Sequence, residues 1–250
     1  TLIVILFLCG WFALANGGER KAAAIAPPFR QGERMVYEAK WGFIPAGEAV
    51  IEILPTVIIR GTKAYHFVMT VTTNSQIDMF YKIREQQDSY ADIALTRTLE
   101  YQKKSTGKHP RDTVVTFNWE DKTTTYWGFG KAEVTVPVLP GSVDPLALFF
   151  VIRTHRLKVG EVIEIPVTNG KRCITVKATV TRRETITIGT NVHDTYLVIP
   201  DMERLEGILG KKGEPELMIW FSADEKQVPV KIKSKVAVGS FVFDLVSATF

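Results

Sequence analysis

Residues 37–53, YEAKWGFIPAGEAVIEI, decide the fold. Apolar and polar side chains alternate on both sides of a Pro45-Ala46-Gly47 turn, and a period of two marks a half-buried strand rather than a helix. Tyr37, Ala39, Trp41 and Phe43 point one way, with Glu38 and Lys40 opposite. Beyond the turn Ala49, Ile51 and Ile53 form one face, with Glu48 and Glu52 on the other. A slip of one residue would bury those charges, so the register is firmly specified. The stretch predicts a β-hairpin with one dry face and one wet face.

Working outward, the same period recurs. Strands are expected over 63–73, 76–92, 97–105, 112–119, 123–128 and 132–138, and again over 161–167, 171–181, 184–188, 192–199, 215–222, 228–237 and 240–249. Turn residues fall between them at the spacing of an antiparallel meander. One segment breaks the rhythm: GSVDPLALFFVIRTHRLKVG, residues 141–160. Asp144 followed by Pro145 reads as a helix N-cap with proline at the first helical position. The next residues are apolar around most of a helical circumference, so a helix over 144–154 should be buried against the sheet. The fold expected is mainly β, an antiparallel meander curled into a barrel or incomplete barrel around one buried helix; the alternative is a two-sheet sandwich. With no Gly/Ser or Pro-rich linker, residues 27–250 read as a single domain.

Of the 250 residues, 46% are hydrophobic and 23% charged, enough to bury a core. The 31 basic residues are diluted by 27 acidic ones, giving a net charge of only +4. A nucleic-acid binder concentrates its cations on one element with aromatics between them, and this chain does not.

No charge occurs from Thr1 to Gly18, and the apolar run ends near Ala13-Leu14-Ala15, a small-x-small pattern. That is the form of a secretory signal, so residues 1–26 are expected to be a signal peptide and short leader, and the protein periplasmic. A retained N-terminal anchor is the rival reading, and Leu8 before Cys9 argues against a lipoprotein signal. Without that segment Cys173 is the only cysteine, so no internal disulfide is expected; it reads as a half-buried structural residue.

Four landmarks then appear in order: FRQGERMVYEAKWGFIPAGEA (29–49), REQQDSYADIALTRTLEY (84–101), VDPLALFFVIRTHRLKVGE (143–161) and IWFSADEKQVPVKIKSKVAVGSF (219–241). Together they resemble the exported bacterial family catalogued as domain of unknown function 3108. The resemblance implies an envelope-associated all-β protein and carries no catalytic residue.

Residue patterns add little chemistry. His66, His109, His155 and His193 lie far apart, without the ligand spacing of a zinc site. No G-x-S-x-G elbow is present, and Gly210-Lys211-Lys212-Gly213 lacks the strand-loop-helix setting of a phosphate cradle. The sequence therefore points to no catalytic residue, metal or cofactor. Two features stand above this background. Aromatic residues crowd the strand faces, and most of them should be core. A curved sheet with a wide interior can also use some to line a pocket, as ligand-holding barrels do. Trp41, Phe43, Tyr81, Arg84, Arg153 and Trp220 are the candidate ligand-binding residues; for the arginines, ion pairs pinning helix to sheet through Asp144, Glu85 or Asp224 are the competing role. Lys231, Lys233 and Lys235 make a ladder on one strand face, a guarded edge or a surface for a membrane or an envelope protein. The expected function is non-enzymatic binding of a lipophilic or envelope-derived ligand. A structural or assembly module contacting another envelope protein comes second, and a hydrolase of envelope polymers third.

Overall fold

The computed structural model describes residues 27–107, 110–201, 216–236 and 239–250. The expected signal segment, His109 and the Gly210–Gly213 run lie outside them. The first half of the chain comprises β1 (Arg34–Trp41), β2 (Ile44–Ile59), β3 (Thr62–Thr73), α1 (Ser75–Tyr81), β4 (Ile83–Asp92), β5 (Thr98–Gly107), β6 (Arg111–Asn118), β7 (Thr123–Gly128) and β8 (Lys131–Pro137). The second half comprises α2 (Pro145–Thr154), β9 (Val162–Thr168), β10 (Cys173–Ile188), β11 (Asn191–Pro200), β12 (Glu216–Ser222), β13 (Pro229–Val236) and β14 (Gly239–Thr249).

All fourteen strands form one sheet in the order β8-β7-β6-β5-β4-β3-β2-β1-β14-β13-β12-β11-β10-β9. Every neighbour pair is antiparallel, and β1 joins the two halves by pairing with both β2 and β14. The sheet is one, so the sandwich alternative falls, and its edges β8 and β9 are not paired to each other, so the barrel is incomplete. Val143, just before α2, makes a parallel bridge to Val167 and draws the β9 edge toward the β8–α2 connection. The β9–β10 turn then tucks against the other half: a Cβ on Gly170 would stand 2.7 Å from Val115 and 3.3 Å from Tyr126.

Helix α2 fills the enclosed space at one end, as its apolar circumference requires. Leu146, Ala147, Phe150, Val151, Ile152 and Arg153 are buried. The Phe150 ring stacks on Phe67 at 3.7 Å between centroids, and Phe29 closes edge-on over Phe150 at 5.2 Å. Asp144 caps the helix by accepting from the Leu146 and Ala147 amides, while Ser89 and Thr98 donate to its second oxygen at 2.5 and 2.7 Å. Burial nevertheless pushes this carboxyl above its ordinary range, outweighing the four donors.

Four expectations need correction. The first hairpin turns at Gly42-Phe43, not at Pro45–Gly47, because Gly42 adopts φ of +60° and β2 already starts at Ile44. Phe43 thus sits at the turn tip instead of sharing the inner face with Tyr37. Gly47 lies inside β2, where a Cβ would meet the Thr72 carbonyl oxygen at 2.0 Å. Residues 76–92 are not one strand: α1 occupies their beginning, so the described residues hold two helices rather than one. Arg153 pairs with none of the three carboxylates proposed for it, but with Glu33. Finally, the strand aromatics are core less often than expected: Trp41, Phe43, Phe80, Tyr81 and Trp127 are exposed.

Candidate functional site

In an antiparallel meander alternate turns lie at the same end. One end carries the β1–β2 turn, α1, the β7–β8 turn and the β13–β14 turn. The other is closed by α2, whose Asp144 meets Ser89 and Thr98 and whose Arg153 meets Glu33 before β1. The first end is where the exposed aromatics are. Trp41 and Phe43 come from the β1–β2 hairpin, Phe80 and Tyr81 from α1, Trp127 and Phe129 from the β7–β8 hairpin. Phe43 is 101% exposed and Phe80 79%. Among the described residues every exposed aromatic side chain lies at this end; Ile44 and Met79 join them.

Local chemistry explains why this rim stands out from the sheet. Helix α1 has seven residues and buries none of them, so packing does not hold it. Asn74 does: its side-chain oxygen accepts from the Gln76 and Ile77 amides, its own amide donates to the Ala46 carbonyl, and its Nδ2 donates to the Pro45 carbonyl. The start of α1 is thereby fixed beside Pro45 and Ala46, near the start of β2. Arg84, just beyond α1 on β4, grips Asp78 in the helix's first turn with both terminal guanidinium nitrogens, at 3.0 and 2.5 Å. That hydrogen bonding holds the Asp78 carboxyl below its usual range.

Behind the rim the inner wall changes character along the strands. Close to α2, Met35, Ile53, Phe67 and Ala91 are fully buried. Toward the aromatic end Val71, Leu217, Phe241 and Phe243, on the same inner face, are only half-buried. A polar stripe faces them from β4–β7. Lys103 pairs with Glu85 at 2.7 Å, Gln87 donates to Glu85 at 2.6 Å, the Tyr101 hydroxyl donates to Gln87 at 2.8 Å, and Thr113 meets the Tyr126 hydroxyl at 3.0 Å. Burial pushes the Tyr101 phenol well up, so it stays a neutral donor. The wall is therefore amphipathic, apolar on the β1–β3 and β12–β14 side and polar on the β4–β7 side.

The candidate residues divide accordingly. Trp41, Phe43 and Tyr81 meet at the rim, and Arg84 lies just beneath α1. Arg153 and Trp220 stand apart: Arg153 is 1% exposed beside Glu33, and Trp220 is buried on β12, donating through Nε1 to Glu184 at 2.8 Å. Lys231, Lys233 and Lys235 lie on the outer face of β13, where Lys231 and Lys40 both pair with Asp244. Sequence reasoning missed the polar inner stripe, because each member reads as an ordinary strand residue and only pairing across β4–β7 assembles them.

Besides a surface cavity of about 690 Å³ around Arg60, Arg97 and Trp119, two others bear on the candidate residues. One of about 410 Å³ spreads over the outer face of β3–β6, where its His66 neighbour bonds Asp88 at 2.8 Å and Arg84 holds Asp78. Burial pushes Asp88 upward, but hydrogen bonds from His66 and Gln86 outweigh it, and the carboxyl sits below its usual range. The other, about 450 Å³, lies at the seam between the sheet edges, against Val136, Leu139, Cys173 and Ile174. Among the described residues no three His, Cys, Asp or Glu side chains converge as a metal site would need.

Comparison with known proteins agrees with the architecture and is silent on chemistry. A crystal structure titled as a beta-barrel-like protein of domain of unknown function DUF1849, from Brucella abortus, superposes with a TM-score of 0.58 at 9% identity, covering 88% of this chain and 98% of that one. At that identity the likeness is one of fold alone. No curated protein matches the chain. Residues 36–246 match the family described as protein of unknown function (DUF3108), and the chain belongs to that family.

Proposed function

We propose that this is a non-enzymatic protein of the cell envelope that binds an amphiphilic, envelope-derived ligand in the open end of its shell. The observation that supports it is the amphipathic inner wall: half-buried Val71, Leu217, Phe241 and Phe243 face the Glu85–Lys103–Gln87 stripe behind a rim of exposed aromatics. Apolar surface with a few placed polar groups is the general form of a small-molecule site. An acyl chain would lie on the first side and a polar head against the second. The polar groups are bonded to one another, which suits recognition better than proton transfer.

Native mass spectrometry and organic extraction of protein purified from its own envelope test this reading. A lipid or other amphiphile recovered in stoichiometric amount is the expected result. Its absence, with an interior holding only water, overturns the reading.

A second reading, an assembly module, draws on β8. Among the described residues that strand pairs only with β7, and Lys131, Ala132, Glu133 and Thr135 along it are exposed, so its outer backbone is open to another strand. Cross-linking in cells followed by pull-down separates the two, because a stoichiometric protein partner captured at β8 favours assembly.

A further inference from the structure

We infer that the protein stands end-on against an anionic lipid surface, with its aromatic end in the interface. The inference goes beyond the ligand reading, since it concerns the outer rim rather than the interior, and either can fail while the other holds.

Three observations carry it. The first is segregation. Trp41, Phe43, Phe80, Tyr81, Trp127 and Phe129 are exposed at one end, while the opposite end exposes only scattered aliphatic residues such as Ile58, Ile93 and Val192. Single exposed apolar side chains need no explanation, but aromatics gathered on one end mark an interaction surface. Tryptophan and tyrosine favour the level of lipid headgroups, where one part of the ring is dry and the other wet.

The second is shape. The rim residues are carried on three separate projections: the Gly42-Phe43 turn tip, the last turn of α1, and Phe129 at the β7–β8 turn. Phe43, at 101% exposure, rests on nothing. Separate protruding tips suit a fluid layer, which adapts to them, better than a protein partner, which has to match them.

The third is charge. From Trp41 to Pro45 no residue is charged, and cations flank the other projections: Lys82 follows Tyr81, Lys131 follows Phe129 and Gly130, and Lys235 stands near the end of β13; all three are exposed. Near Lys82 and Lys131 the acidic residues are already engaged, Asp78 by Arg84 and Glu133 by Lys171, while Lys235 stands opposite Glu216 in the β12–β13 register. The lysine ladder thus reaches the apolar rim at Lys235, where its charge would meet anionic headgroups. Among the described residues neither helix is long and apolar enough to cross a membrane.

The test uses the full chain, in the N-terminal form purified from the envelope, with vesicles of phosphatidylcholine alone or mixed with phosphatidylglycerol. A photoactivatable phosphatidylglycerol in the mixed vesicles maps contacts by mass spectrometry. Adducts are expected at residues 41–44, 79–81 and 127–129. The triple variant Phe43→Ser, Phe80→Ser and Phe129→Ser should lose at least about tenfold in affinity for the mixed vesicles, given the apolar area removed. The control variant Ile58→Ser, Ile93→Ser and Val192→Ser should bind as the parent does. Equal binding by the rim variant, adducts confined to the opposite end or to residues 1–26, or no preference for anionic vesicles would overturn the inference. So would capture of a protein, with no lipid adduct, by a photoactivatable residue placed at position 43 in cells. Should the rim variant fail to fold, the adduct map of the parent decides.

Discussion

Arg153 and Glu33, 120 residues apart in the chain, form a two-pronged ion pair in which each side chain is 1% exposed. The guanidinium donates to both carboxylate oxygens, at 2.5 and 3.2 Å, and also lies over the Phe29 ring at 5.1 Å. This pair fastens the end of α2 to the start of β1 and so closes one end of the shell. Removing one partner leaves an uncompensated buried charge. Glu33→Ala should therefore cost about 3–5 kcal/mol in urea denaturation. The double variant Glu33→Leu/Arg153→Met should cost far less, because no charge remains to be desolvated. Equal losses in the two would show that packing, not charge, sets the contribution.

Phe150 is the side chain by which α2 plugs the sheet, stacked on Phe67 and met edge-on by Phe29. Phe150→Ala should cost about 3–5 kcal/mol from lost burial and the cavity left behind. Far-UV circular dichroism should remain that of a β protein, since no strand pairing runs through this residue.

Closure at the seam rests on Gly170, which combines φ of +86° with a site where a Cβ would press on Val115 and Tyr126. Gly170→Val should destabilise by about 1–3 kcal/mol through overpacking, with backbone strain added. Substitution at Gly189, whose surroundings are open although its φ is +59°, should show only the smaller backbone cost.

Acid sensitivity should fall on the outer face of β3–β4. The folded value of Asp88 is depressed, so the stability it adds is present above its unfolded value and is lost as the pH falls through the folded one. Thermal unfolding followed from neutral pH into acid should give a shallower loss in Asp88→Asn than in the parent. Asp144 acts with the opposite sign: its raised value means that its contribution is complete below the unfolded value and lost as the pH rises through the folded one.

Much of the fold was written in local pattern. Strand alternation survives in β6 and β9 almost residue for residue, because one dry face fixes register, whereas in β1 a bulge leaves Met35, Val36 and Tyr37 all buried. Helix α2 announced itself through Asp144-Pro145 and an apolar circumference. Helix α1 did not, since seven residues with none buried show no helical period, and Asn74 ahead of Ser75 was its one local signal. Glu33 was invisible for a different reason. In Gln31-Gly32-Glu33-Arg34 it looks like solvated loop, and only the arrival of Arg153 from across the fold makes a buried carboxylate tolerable. The rim was misread because period two places an aromatic on a face but does not say where the strand ends. Moving the first turn from Pro45–Gly47 to Gly42-Phe43 took Phe43 off the inner face and out of the core.

The account centres on an inner wall that receives an amphiphile at the aromatic end. Val71 stands half-buried on that wall, opposite Ala49 on β2 and Glu85 on β4. The most direct measurement is bound amphiphile per chain, by native mass spectrometry, in the parent and in Val71→Trp, which fills the mouth without touching α2. A stoichiometric ligand in the parent and its loss in a folded Val71→Trp variant is the predicted result. A parent that carries no ligand, or a variant that carries as much as the parent, would contradict it.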